Sequence, residues 1–153
     1  MADILVIGVG NDHRGDDAAG LLVARALAAR AGEALTVLEL PGEGTELMAA
    51  WQGRAHVIIA DAARSGAKVG SHTRLDAGAV PVPRGFFSYS THAFGLAEAV
   101  ETARNLNCLP AKLVIYAIEG RAFAQGAPMS PEIEKAVAAT AAAIMWELAG
   151  PGR

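Results

Sequence analysis

Hydrophobic residues along the chain come in short continuous runs, separated by stretches where they recur every three or four positions. The run Ile4-Leu5-Val6-Ile7-Gly8-Val9 has no polar alternation and closes on Gly10 and Asn11, as a strand buried on both faces does. Beyond it the period changes. Ala19, Leu22, Val23, Ala26 and Arg30 share one stripe of a helix predicted over residues 17–30, with Asp16 placed to cap its start. A second strand is predicted over 35–40, stopped by Pro41-Gly42, then a short helix around 45–51 and a third strand over 56–60 that ends at Asp61. Residues 73–76 alternate weakly, as an edge strand would. The stretch 77–90 contains Gly78, Pro81, Pro83 and Gly85 and reads as a long loop, a class that is often functional in compact domains. A helix over 92–105 with Ser90 or Thr91 as its cap, a buried strand over 112–118 and a helix opened by Ser130-Pro131 complete the pattern. The last helix has Ile133, Val137, Ala141, Ile144 and Leu148 as its apolar stripe. Such alternation predicts an α/β fold: a three-layer, twisted, mostly parallel sheet of about five strands with helices on both faces.

Composition narrows the function classes. A chain of 153 residues with 52% hydrophobic content is expected to form one domain, residues 1–150, and is too apolar for disorder. Thirteen basic against sixteen acidic residues, a formal charge of −3, leave no basic footprint for nucleic acid and no cationic cluster for a membrane surface. The N-terminus is acidic where a secretory signal would be basic, and the apolar stretch 136–146 is too short to span a bilayer. Cys108 is the sole cysteine and cannot close an internal disulfide, so a reducing compartment, the cytoplasm, is expected.

In open α/β sheets ligands bind beyond the carboxyl ends of the strands, so polar residues following buried runs carry the candidate chemistry. The segment Gly8-Val9-Gly10-Asn11-Asp12-His13-Arg14-Gly15-Asp16-Asp17 is glycine-rich, but His13 stands where the dinucleotide fingerprint needs glycine, and the acidic pair would repel a pyrophosphate. Carboxylates in a first helical turn are commonly caps; Asp16 is assigned to that role, while Asp17 can point elsewhere. Asp61 ends a buried run, and either turns the segment towards Arg64 or acts in a site. His92 opens the helix after the long loop; taken alone a single histidine is an unremarkable surface group, and His13, His56 and His72 have weaker cases. Together Asp17, Asp61 and His92 offer two carboxylates and an imidazole, a donor set suited to nickel, zinc or iron with a position left open. The chain has no HExxH, no CxxC and no G-x-S-x-G, and Cys108 has no evident histidine partner, which argues against the standard zinc and nucleophilic hydrolases.

The order Gly8-x-Gly10-Asn11, Asp16-Asp17, Ile58-Ile59-Ala60-Asp61, Ser90-x-His92, Gly95-Leu96, Ile118-Glu119-Gly120 and Met129-Ser130-Pro131 resembles the hydrogenase maturation proteases, along nearly the whole chain. The resemblance implies a hydrolase, a metal-dependent endopeptidase that removes the C-terminal extension of a [NiFe] hydrogenase large-subunit precursor. It implies nickel as the metal, supplied by the precursor and recognised through Asp17, Asp61 and His92, and no other cofactor. Relatives often carry an apolar residue at His13, glycine at Ala18 and glutamate at Asp17; the shorter acid leaves Asp16 or His13 as substitute ligands. Glu119 is a further candidate for the crevice, although a loop carboxylate is its commoner role. Phe86, Phe87 and Tyr89 are expected either to contact the precursor's tail or to pack against the sheet. Two other readings stand beside this one: a Rossmann-like nucleotide-binding enzyme built on the first glycine turn, and a non-catalytic nickel-binding chaperone.

Overall fold

The structure is a computed structural model that describes residues 4–83, 85–87 and 91–150. Nine regular elements alternate along it: β1 (Ile4–Val9), α1 (Ala19–Ala31), β2 (Thr36–Leu40), α2 (Gly44–Trp51), β3 (His56–Ala63), β4 (His72–Asp76), α3 (Leu96–Asn105), β5 (Lys112–Glu119) and α4 (Pro131–Leu148). The strands form one sheet in the order β2-β1-β3-β5-β4, parallel throughout except for β4, which runs antiparallel on β5 at the edge. The predicted three-layer α/β architecture is the one observed.

β1, β3 and β5 are central and covered on both sides, which is why their apolar runs are unbroken by polar alternation. Side chains alternate across the sheet and divide the interior in two. Leu5, Ile7, Val57, Ile59, Leu113 and Ile115 face α2 and α3. Val6, Ile58, Ala60, Val114, Tyr116 and Ile118 face α1 and α4.

Chain order places β2 on one side of β1 and β3 on the other, so the topological switch point, where a crevice opens beyond the strand ends, lies between β1 and β3. Glycine brings α1 down onto that point. A Cβ on Gly20 would lie 2.3 Å from the Ala60 carbonyl oxygen and 2.4 Å from that of Val9, so only a residue without a side chain lets the helix sit so close.

Three boundaries differ from the sequence reading by more than one residue. β3 runs on to Ala63, because its ladder with β5 continues to the pair Ala63↔Glu119; Asp61 lies inside the strand and does not end it. The third helix starts at Leu96 and not at 92, because Gly95, in extended conformation, takes the cap position and donates its N–H to Glu98 Oε1 at 2.9 Å. Ser90, one of its expected caps, lies outside the described residues. α1 starts at Ala19 after a 3-10 turn over Gly15–Ala18. No helix among the described residues is long and apolar enough to cross a membrane.

Candidate active site

A pocket of about 190 Å³ opens at the switch point, lined among others by Asp17, Asp61 and His92. Each of the three comes from a different element. Asp17 is held in the 3-10 turn after β1 and is buried. That turn is folded back on the strand end: the Asp17 carbonyl accepts from Asn11 N–H at 3.4 Å, and a Cβ on Gly10 would lie 2.0 Å from the same oxygen. The glycine of the first turn is thus required by backbone approach within the protein. Asp61, 2% exposed, shares strand parity with Val57, Ile59 and Ala63, so its carboxylate is directed to the α2–α3 side. His92 lies in the connection before α3, and its Nε2 meets the Pro41 carbonyl oxygen at 3.1 Å. A carbonyl only accepts, so Nε2 is the donor in this contact. Metal-binding histidines are commonly oriented by such a second N–H bond to a backbone carbonyl.

The pocket is not a ready-made cage. Among the described residues, no three His, Cys, Asp or Glu side chains stand close enough together to hold a metal ion. The structure brings Asp17, Asp61 and His92 to one cavity, with Val9, Pro41, Gly42, Phe87 and Leu96 as apolar wall, and leaves the final approach to whatever enters.

Asp16 does not cap a helix. Neither the 3-10 turn nor α1 has a side-chain cap bond. Asp16 is fully buried and accepts from Arg121 N–H (2.8 Å), Ala122 N–H (3.0 Å), Ser130 N–H (2.7 Å) and the Ser130 hydroxyl (2.8 Å). Burial pushes its carboxyl pKa up, but these four bonds outweigh burial and hold it below the ordinary 3.8. With both oxygens engaged it is no substitute for Asp17. Ser130 spends its hydroxyl on Asp16 and leaves the α4 cap position without a side-chain bond. Beside this clamp, Asp16 N–H donates to Ala122 O at 2.8 Å, and Gly126 N–H to His13 O at 2.7 Å.

The other candidates sort as follows. His13 is exposed and outside the pocket. Glu119 turns away from it, its carboxylate accepting from Ser65 N–H, the Ser65 hydroxyl (2.7 Å) and Gly66 N–H (3.1 Å). Phe86 and Phe87 are buried against each other, centroids 5.7 Å apart, with Phe87 in the pocket wall; Tyr89 lies outside the described residues. His56 opens β3, at the opposite end of that strand from Asp61, and His72 opens the edge strand; neither lines the pocket. Arg14, Asn11 and Thr91 line the pocket as well. Sequence reasoning missed them, since polar turn residues carry no periodic signal.

Comparison with known proteins places these observations. The family model described as "Hydrogenase maturation protease" matches residues 21–147. No curated protein matches the sequence. Among solved structures, the hydrogenase maturating endopeptidase HybD from E. coli is 25% identical, with 97% of this chain and 93% of that one covered and a TM-score of 0.78. The solution structure of an endopeptidase from Escherichia coli is 26% identical over 96% of this chain and 93% of that one, with a TM-score of 0.80. The [NiFe] hydrogenase maturation protease HycI from Thermococcus kodakarensis KOD1, 24% identical over 94% of this chain and 90% of that one, superposes with a TM-score of 0.69.

Proposed function

As the chain belongs to the hydrogenase maturation protease family, a family of endopeptidases, we propose that it acts on a [NiFe] hydrogenase large-subunit precursor and removes its C-terminal extension after nickel insertion, in the cytoplasm. The observation that supports this reading most is that Asp17, Asp61 and His92, carried on three separate elements, line one pocket at the switch point. Two carboxylates and an imidazole suit a borderline divalent ion such as nickel. Nickel is then part of the substrate. Asp17 and Asp61 offer oxygens and His92 an imidazole nitrogen, with Pro41 orienting the ring.

Peptide hydrolysis adds hydroxyl to the carbonyl carbon and a proton to the leaving amine. Holding the precursor's nickel, the three side chains place its scissile bond in the pocket beside a cation able to polarise the carbonyl. Val9, Phe87 and Leu96 supply an apolar wall beside it. Whole-nucleotide binding is less well supported, because the cavity is smaller than the roughly 300–1,000 Å³ of sites that engulf such ligands and the carboxylate of Asp17 sits at the turn where phosphates would go.

The test is incubation with nickel-loaded and nickel-free precursor, followed by intact mass. Loss of a C-terminal peptide from the loaded form alone is expected, and His92→Ala should slow it by at least about a hundredfold. Equal cutting of both forms, or undiminished cutting by the variant, would overturn the reading. Binding of loaded precursor without any shortening would point to a chaperone.

A further inference from the structure

Arg14 stands in the wall of the pocket that holds Asp17 and Asp61. Among the described residues it joins none of the ion pairs that occupy Arg25, Arg74, Arg104, Lys112 and Arg121. Its guanidinium is nevertheless fixed. Nε donates to the Phe123 carbonyl at 3.0 Å, and the next two residues are locked: Gly15 is packed against the Ala122 carbonyl and Asp16 is held by the clamp. That bond uses Nε and leaves the two terminal NH₂ groups, an end-on fork whose spacing matches the oxygens of a carboxylate.

The electrostatics of the wall say what such a fork would meet. Among the described residues of the lining, Arg14 is the one permanently charged cation, and the acidic side chains are Asp17 and Asp61. An acidic group entering elsewhere in this narrow space would face one of those carboxylates with little screening. Beside Arg14 it would gain a charge-assisted bond on a group whose orientation is already set.

We propose that Arg14 is a specificity-determining residue of the endopeptidase, taking through its terminal NH₂ groups a side-chain carboxylate that the precursor's extension carries next to the scissile bond. This rests on the function proposed above. It assigns a chemical class, an acidic residue, to one position of the substrate that neither the nickel nor the apolar wall reads.

The probe is nickel-loaded precursor in which each of the first few extension residues is changed in turn to Asp and to Asn, with kcat/KM compared for each pair. At one position the wild-type enzyme is expected to favour Asp by about tenfold or more, the scale of one charge-assisted bond. Arg14→Met should reduce that ratio to about twofold or less, and Arg14→Glu should shift preference to Lys at the same position. Arg14→Lys, which retains the charge without the fork, should keep a smaller preference. A wild-type enzyme indifferent to Asp against Asn at every position overturns the proposal, as does a ratio undiminished in Arg14→Met or in Arg14→Lys. Should the wild type cut none of the loaded precursors, the proposed function itself fails, which is a separate outcome.

Discussion

Asp16 and Asp17 are the same residue type, adjacent, and both buried, yet their roles differ completely. Asp17 lines the pocket, whereas Asp16 gathers four donors from the segment between β5 and α4. Replacing Asp16 with Ala leaves those buried donors unmet and should cost about 2–4 kcal/mol, measurable by urea unfolding. The pH dependence follows from its lowered pKa. A carboxylate whose folded pKa lies below the unfolded value of 3.8 contributes its stability above that value and loses it as pH falls through the folded pKa. The stability gap between wild type and Asp16→Asn should therefore be full at neutral pH and shrink below about pH 3.8, with a constant gap counting against this role. None of it was legible in the sequence, where a carboxylate ahead of an apolar stripe reads as a cap: the Ser130 partner is 114 positions away. Asp17, Asp61 and His92 could be singled out because each follows a run or break in the pattern. Arg14 could not, because a turn residue follows no period.

Elements were more readable than residues, because burial on two faces forces unbroken apolar runs and burial on one face forces a stripe. All five strands and four helices lie where the pattern puts them, and the errors are at ends. β3 outlasts its apolar run because β5 continues to pair with it, and α3 starts late because Glu98 and Gly95 close a cap there; both depend on partners that periodicity does not describe. How closely elements approach is likewise hidden, and α1 depends on it. Gly20→Ala would improve helix propensity by about 1 kcal/mol, yet its methyl would press on the backbone carbonyls of Val9 and Ala60. Net destabilisation of about 1–3 kcal/mol is expected. Precursor cutting should fall as well, because α1 and the 3-10 turn before it, which carries Asp17, would move away from the strand that carries Asp61. A variant as stable and active as wild type would show that the contact relaxes without effect.

At the level of the molecule the sheet separates two interiors. Ile115 belongs to the one beneath α2 and α3, Ile144 to the one beneath α1 and α4. Ile115→Val and Ile144→Val should each cost about 0.5–1.5 kcal/mol. Their effects should add within about 0.5 kcal/mol in the double variant; a larger coupling would mean that the layers repack as one. The pocket is where the two halves of the sheet's path diverge, and its walls draw on segments between Val9 and Leu96. The link between Asp16 and the Ser130 region has a consequence for biosynthesis. A growing polypeptide emerges with the pocket's first wall long before the residues that brace it, so Asp16 gains its full set of donors only once Ser130 has left the ribosome.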